Sequence, residues 1–176
     1  MRKWFLTCLL FSFSAISWSR TPTDTLHISD EDSLGLIIPD TVASRIVEIN
    51  RLLSFAEQHL GTPYRYGGKK PGGFDCSGFV MYCFSRTQNM LLSPSATTYF
   101  KHGIKVHPNS ARPGDIICFT GSNSRNRSIG HVGIVTEVTP TDIYFIHAAV
   151  HGGIRYDALS TKYYKTRFLQ IQRVIF

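Results

Sequence analysis

Three residues far apart in this chain carry the side chains that covalent acyl chemistry needs. Cys76 stands in "GGFDCSGFV", His131 in "GHVGIV" and His147 in "YFIHAAV". A thiol attacks a carbonyl as its thiolate, so it needs a base and an electropositive setting. One imidazole can take the proton, and a second polar group can hold that imidazole in a working orientation and tautomer. The same three side chains are also possible zinc ligands. No close C-x-x-C or H-x-x-x-H pair accompanies them, so no metal and no cofactor is expected.

Cys76 has two other readings, half of a disulfide or an inert buried thiol. Cys83 is a poor partner, because seven residues of helix separate the two by roughly 10 Å. Bridged Cα atoms lie closer than about 7 Å. Cys118 stays open as a partner. Cys83 and Cys118 lie in apolar runs and read as packing thiols. Cys76 differs because the Gly- and Pro-rich stretch "GTPYRYGGKKPGGFD" turns into a helix there. The free N–H groups and dipole of a helix start favour negative charge. They are expected to lower the thiol pKa and can also hold an oxyanion.

The chain has seven histidines. His27 falls in a polar N-terminal stretch. His59, His102 and His107 fall at helix ends or in loops and read as solvated. His131 and His147 lie on two apolar runs separated by "TPTD". If that is a tight turn, the two imidazoles come within a few residues of being cross-strand neighbours, at the end of the hairpin far from the turn. His131 then serves as base and His147 as its orienter.

The elements that must position these groups follow from periodicity. Val42, Ile46, Ile49, Leu52, Leu53, Ala56 and Leu60 recur at three- and four-residue steps, predicting an amphipathic helix over 41–60. Thr41 or Asp40 can cap it and Gly61 can end it. A second helix starts at about Cys76, with Phe79, Val80, Cys83 and Phe84 on its apolar face. A third, shorter one is expected over 95–102. Strands are expected over 115–120, 131–138, 143–150 and 168–176, with "RPGD" as a turn before the first. Helices first and antiparallel strands after them make the fold class α+β.

The chain of 176 residues is 43% hydrophobic and 18% charged, a globular composition of one-domain length. Its first 19 residues have a basic start at Arg2 and Lys3, an apolar run to Ile16 and small residues after it. This is the layout of a signal peptide, too short to be a membrane span. Residues 20–40 read as a polar arm and 41–176 as the domain. Cleavage leaves 17 basic against 12 acidic residues, a net charge of +5. A moderately basic exported protein suits an anionic partner. The charge forms no dense run, so no nucleic acid is expected, nor any stable membrane insertion after cleavage. Cys76, Cys83 and Cys118 remain, an odd number that leaves at least one thiol unpaired. A monomer in the periplasm or secreted is expected.

"GTPYRYGG", "FDCSGFV", "RPGDIICF", "GHVGIV" and "FIHAA" occur in this order. Together they resemble the NlpC family of bacterial cell-wall cysteine peptidases, from about Ile46 to the C-terminus. The resemblance implies a papain-like fold, with the nucleophile's helix packed on an antiparallel sheet. It implies hydrolysis of peptidoglycan stem peptides, commonly between γ-D-glutamate and a diamino acid. Cys76 matches the nucleophile, His131 the base and His147 the polar third member. Tyr64 matches a tyrosine beside the nucleophile, and Asp75 and Ser77 match flanking positions that help hold substrate. Tyr64 can equally pack its loop, and Asp75 can serve only as a helix N-cap. Many relatives carry an arginine and a glutamine in the segment matching "SPSATTYFKHG", where this chain has Pro94 and Tyr99. A related amidase cutting the muramoyl–L-alanine bond, or an inactive wall-binding module, would share the same motifs.

Overall fold

The computed structural model describes residues 40–92 and 103–175. The expected leader, nearly all of the polar arm and the helix over 95–102 lie outside them, with His27, Pro94, Tyr99 and His102. Helix α1 spans Asp40–Glu57 and α2 spans Cys76–Thr87. Between them, the segment read as a loop contains a two-strand hairpin, β1 (Lys69–Lys70) with β2 (Gly73–Phe74). Strands β3 (Ile104–Val106), β4 (Ile116–Thr120), β5 (Ile129–Val138), β6 (Ile143–Ala149), β7 (Gly153–Ala158) and β8 (Phe168–Arg173) follow, with helix α3 (Lys162–Arg167) before the last. They form one antiparallel sheet in the order β3-β8-β4-β5-β6-β7.

Alternation along the strands builds two apolar layers. Ile116, Cys118, Val132, Ile134, Ile146 and Ala148 face the helices and pack with Phe79, Val80, Cys83, Phe84, Leu52 and Ala56. Ile117, Phe119, Val135, Phe145 and Ile171 face the other way and pack with Tyr164 of α3. β4 is therefore covered on both faces, which is why "IICFT" is buried throughout. The α1 stripe is buried only in its second half. Leu52 and Ala56 are inaccessible, whereas Val42, Ile46 and Leu60 are exposed. Glu48 O accepts from Gln88 Nε2 at 2.8 Å, and Arg51 donates to Thr87 O, fastening α1 to the end of α2.

Asp115 does more than end a turn. Its carboxylate is 2% exposed and takes Arg173 Nε and Nη2 at 2.9 and 2.8 Å and the Arg112 N–H at 2.8 Å. This charge-assisted fork ties β8 to the entry of β4. His59 corrects the expectation of a solvated ring. It is half-buried, 5.1, 5.5 and 5.4 Å between centroids from Phe55, Phe74 and Tyr82, and its Nε2 has no partner among the described residues. Burial lowers its pKa. The aromatic rings of three segments close over what is, in sequence, only a helix end.

The glycines of the hairpin and α2 set how closely these parts approach. A Cβ on Gly78 would lie 2.0 Å from Gly68 O, the oxygen that accepts the Asp75 N–H at 3.0 Å. Neither backbone can retreat without losing the entry to α2. Gly78→Ala is expected to destabilise the fold by roughly 1–3 kcal/mol, as overpacking does. Urea denaturation reads this directly, and an unchanged midpoint would remove the close-approach argument.

Candidate active site

Cys76 occupies the first turn of α2, and Asp75 is that helix's N-cap. The Asp75 Oδ1 accepts the Gly78 N–H at 2.6 Å and the Ser77 hydroxyl at 2.9 Å. Neither Asp75 nor Ser77 belongs to the wall of the cleft into which Cys76 opens. Of the three flanking residues matched by resemblance, only Tyr64 lines that cleft. Burial is the largest cause that raises the Tyr64 pKa, so its hydroxyl stays a hydrogen-bond donor.

Cys76 is 8% exposed, Cys83 and Cys118 are inaccessible, and all three are unpaired, which removes the disulfide reading. Burial raises the Cys76 pKa. N–H groups of Val132, Ser77 and Cys76 act in the opposite direction and Asp75 adds to the rise. The expectation that the helix start leaves a lowered thiol pKa is therefore corrected. The helix N–H groups are present and do favour the thiolate, but desolvation outweighs them. The resting residue is a protonated thiol that needs a base.

The two histidines are brought together as the hairpin reading required. Register pairs Ile134 with Ile146, which sets Gly133 opposite His147 and leaves His131 diagonal to it on the same face. A Cβ on Gly133 would come within 3.1 Å of His147 Cβ and 3.0 Å of Phe145, so the bare glycine makes room for the rings. His131 Nε2 lies 2.8 Å from His147 Nδ1. The backbone N–H beside His131, that of Val132, points at the Cys76 sulfur. A zinc site needs imidazole nitrogens and thiol converging on one point. Here two of the nitrogens face each other at hydrogen-bond distance, which leaves no room between them for an ion.

Beyond His147 lies a group that sequence reasoning missed. Asp157 of β7 places Oδ2 2.8 Å from His147 Nε2. The same oxygen accepts Arg155 Nε at 2.8 Å and the Tyr164 hydroxyl at 3.0 Å. Burial raises the Asp157 pKa, but the donors His147, Tyr164 and Arg155 outweigh it and hold the carboxyl below the usual range. A carboxylate there fixes every proton in the chain. His147 Nε2–H donates to Asp157, so His147 Nδ1 is an acceptor. His131 Nε2–H donates to it, so His131 Nδ1 carries a free lone pair. Such a lone pair can accept a proton, and Cys76 lines the same cleft. Burial keeps both rings neutral: His131 is also held down by His147, while Asp157 only partly restores the His147 pKa.

These residues line a cleft of about 480 Å³, shared with Phe119, Tyr163, Arg167 and the exposed His151. "IRYDA" alternates apolar and charged residues, a strand signal that the sequence reading did not use, but only the pairing of β7 with β6 brings Asp157 to His147. The register sets Tyr156 opposite Ile146 and Arg155 opposite His147.

Helices over an antiparallel sheet, with a thiol at a helix start sharing a cleft with strand-borne imidazoles, define an α+β fold of the papain-like class. Within that class the chain belongs to the NlpC/P60 family, whose model matches residues 61–173. It is 36% identical over 119 residues to the Gamma-DL-glutamyl hydrolase of Bacillus subtilis, covering 67% of this chain and 27% of the other. It is 30% identical over 154 residues to the Murein DD-endopeptidase MepS/Murein LD-carboxypeptidase of Escherichia coli, covering 87% and 74%. The NlpC/p60 domain of the peptidoglycan hydrolase SagA superposes with a TM-score of 0.59 at 25% identity, covering 71% and 97%. The chain thus spans about a quarter of the Bacillus hydrolase and most of the Escherichia enzyme. No helix among the described residues is long and apolar enough to cross a membrane.

Two measurements follow from the charge states. In the folded protein both imidazoles stay neutral at pH 6, where an unperturbed histidine is mostly charged. Because only the unfolded chain takes up these protons, stability is full above about pH 6.5 and declines as pH falls below it. The depressed Asp157 pKa acts in the same direction. Imidazole nitrogen NMR shifts and melting temperatures between pH 7 and 5 read both effects, and a charged His131–His147 pair at pH 6 would contradict the proton chain. Alkylation by iodoacetamide should modify Cys76 alone in the native protein, with a rate still rising above pH 9. Cys118, pushed up to about 12 by burial, and Cys83, pushed higher, should react only after denaturation. A rate plateau at neutral pH would mean a resting thiolate.

Proposed function

We propose that this chain is a peptidoglycan hydrolase. It acts as a cysteine endopeptidase on stem peptides, at the bond between γ-D-glutamate and a diamino acid. The observation that carries the reading is the Asp157–His147–His131 chain, which leaves His131 Nδ1 with a free lone pair in the cleft that Cys76 also lines. The names of the relatives, a γ-glutamyl hydrolase and a murein endopeptidase, support the substrate class.

His131 Nδ1 takes the Cys76 proton as the sulfur attacks the carbonyl. The tetrahedral oxyanion is held by N–H groups of the α2 start together with the Tyr64 hydroxyl. His147 and Asp157 stabilise the imidazolium that forms, and Arg155 and Tyr164 keep Asp157 in place. His131 then gives its proton to the leaving amine as the carbon–nitrogen bond breaks. Water, deprotonated by His131, attacks the thioester, and the thiol is regenerated. No step calls on a metal. A leader over residues 1–19 would deliver the domain to the periplasm or the cell exterior, where the wall lies.

Purified wall fragments incubated with the protein should yield products whose masses report cleavage between glutamate and the diamino acid. Cys76→Ala should lower the rate by roughly 10³-fold or more, and His131→Ala by about 10²–10⁴-fold. A Cys76→Ala variant that cuts like wild type ends the proposal. Release of intact stem peptides would instead identify an amidase acting at the muramoyl–L-alanine bond.

A further inference from the structure

The cleft contains a cation that the proton chain does not use. Arg167, in the last turn of α3, lays its guanidinium over the Tyr163 ring, with Cζ 3.8 Å from the centroid. Its one hydrogen bond among the described residues is from Nη1 to Tyr163 O at 3.3 Å, and no acid pairs with it. Nε is buried without an acceptor. A planar fork braced on an aromatic face, with most of its donors unused, is pre-organised for a carboxylate. Charge balance agrees. Among the described residues Asp157 is the only acid in the cleft wall, and it is already engaged by Arg155, His147 and Tyr164. With both imidazoles neutral, Arg155 and Arg167 against one carboxylate leave the cleft net positive.

The place of Arg167 says which part of a substrate it meets. Tyr164, three residues earlier and so on a neighbouring face of α3, brings its hydroxyl 3.2 Å from His147 Nε2. Helix α3 therefore flanks the imidazole end of the cleft, whereas Tyr64 flanks the thiol. The imidazole must protonate the departing amine, so the amine's fragment lies toward α3. We propose that Arg167, braced on Tyr163, binds the carboxylate of the amino acid whose amine is released. The cleft then selects a leaving residue with a free carboxylate over its carboxamide. This rests on the cysteine peptidase reading above.

The test uses two synthetic stem peptides, identical except that the carboxyl of the diamino acid next to the scissile amide is free or amidated. Binding is measured by calorimetry on the full chain carrying Cys76→Ala, and turnover on the chain with Cys76 intact. The acid should bind roughly tenfold to a hundredfold more tightly than the amide. Adding Arg167→Gln should bring that ratio close to one, and Arg167→Lys should restore part of it. Melting curves identify a variant that fails to fold, and the acid-to-amide ratio in the Arg167 chain stands without either variant. Equal binding of the two peptides overturns the inference even if both are cleaved. A clear preference in binding without turnover sustains the carboxylate site and counts against the endopeptidase. A preference that survives Arg167→Gln assigns the carboxylate elsewhere and overturns the inference.

Discussion

Two imidazoles can be buried side by side in this sheet only if neither carries a charge and each nitrogen has a defined partner. The Asp157 carboxylate satisfies that constraint for both. It fixes the proton of His147, which fixes that of His131, and leaves one nitrogen, His131 Nδ1, unprotonated in the cleft that Cys76 also lines. The sheet order follows the same chain. β5 carries His131, β6 carries His147 and β7 carries Asp157, on three consecutive neighbours. Arg155 and Tyr164 complete the carboxylate from β7 and α3.

The other half of the site obeys a different constraint. Asp75 caps α2, Gly78 lets the helix start approach Gly68, and together they hold the Cys76 sulfur against the Val132 N–H. This anchoring buries the thiol deeply enough that desolvation exceeds the pull of the helix N–H groups. A buried thiol and a neutral imidazole are a stable resting pair. In the proposed mechanism charge separates only when a carbonyl arrives to take the electron density. The helix and the sheet would then contribute the two reactants of one proton transfer, and each is kept uncharged by its own surroundings.

The cleft between them is aromatic and cationic at the α3 end. Tyr163 and Tyr164 shape that wall, and Arg155 and Arg167 outweigh its single acid. Membership of the NlpC/P60 family accounts for the scaffold. The charge of the wall belongs to this chain's own side chains.

Residue type and spacing alone singled out Cys76, His131 and His147, because nucleophiles and bases are rare side chains and their neighbours carried turn and strand signals. The two main helices, the α+β order and four of the strands followed from periodicity, since burial of one face imprints itself on the chain. Asp157 was illegible because its strand is short and its carboxylate gains meaning only ten residues away, across a register that pairing decides. His59 was misread because a helix end looks solvated until Phe55, Phe74 and Tyr82 close around it. Asp75 and Ser77 bond to each other and to the helix start instead of lining the cleft. The sequence by itself determined which groups could react. Tertiary structure decided their protonation, because the pKa of a thiol or an imidazole is set by the water removed around it and by partners brought from other strands.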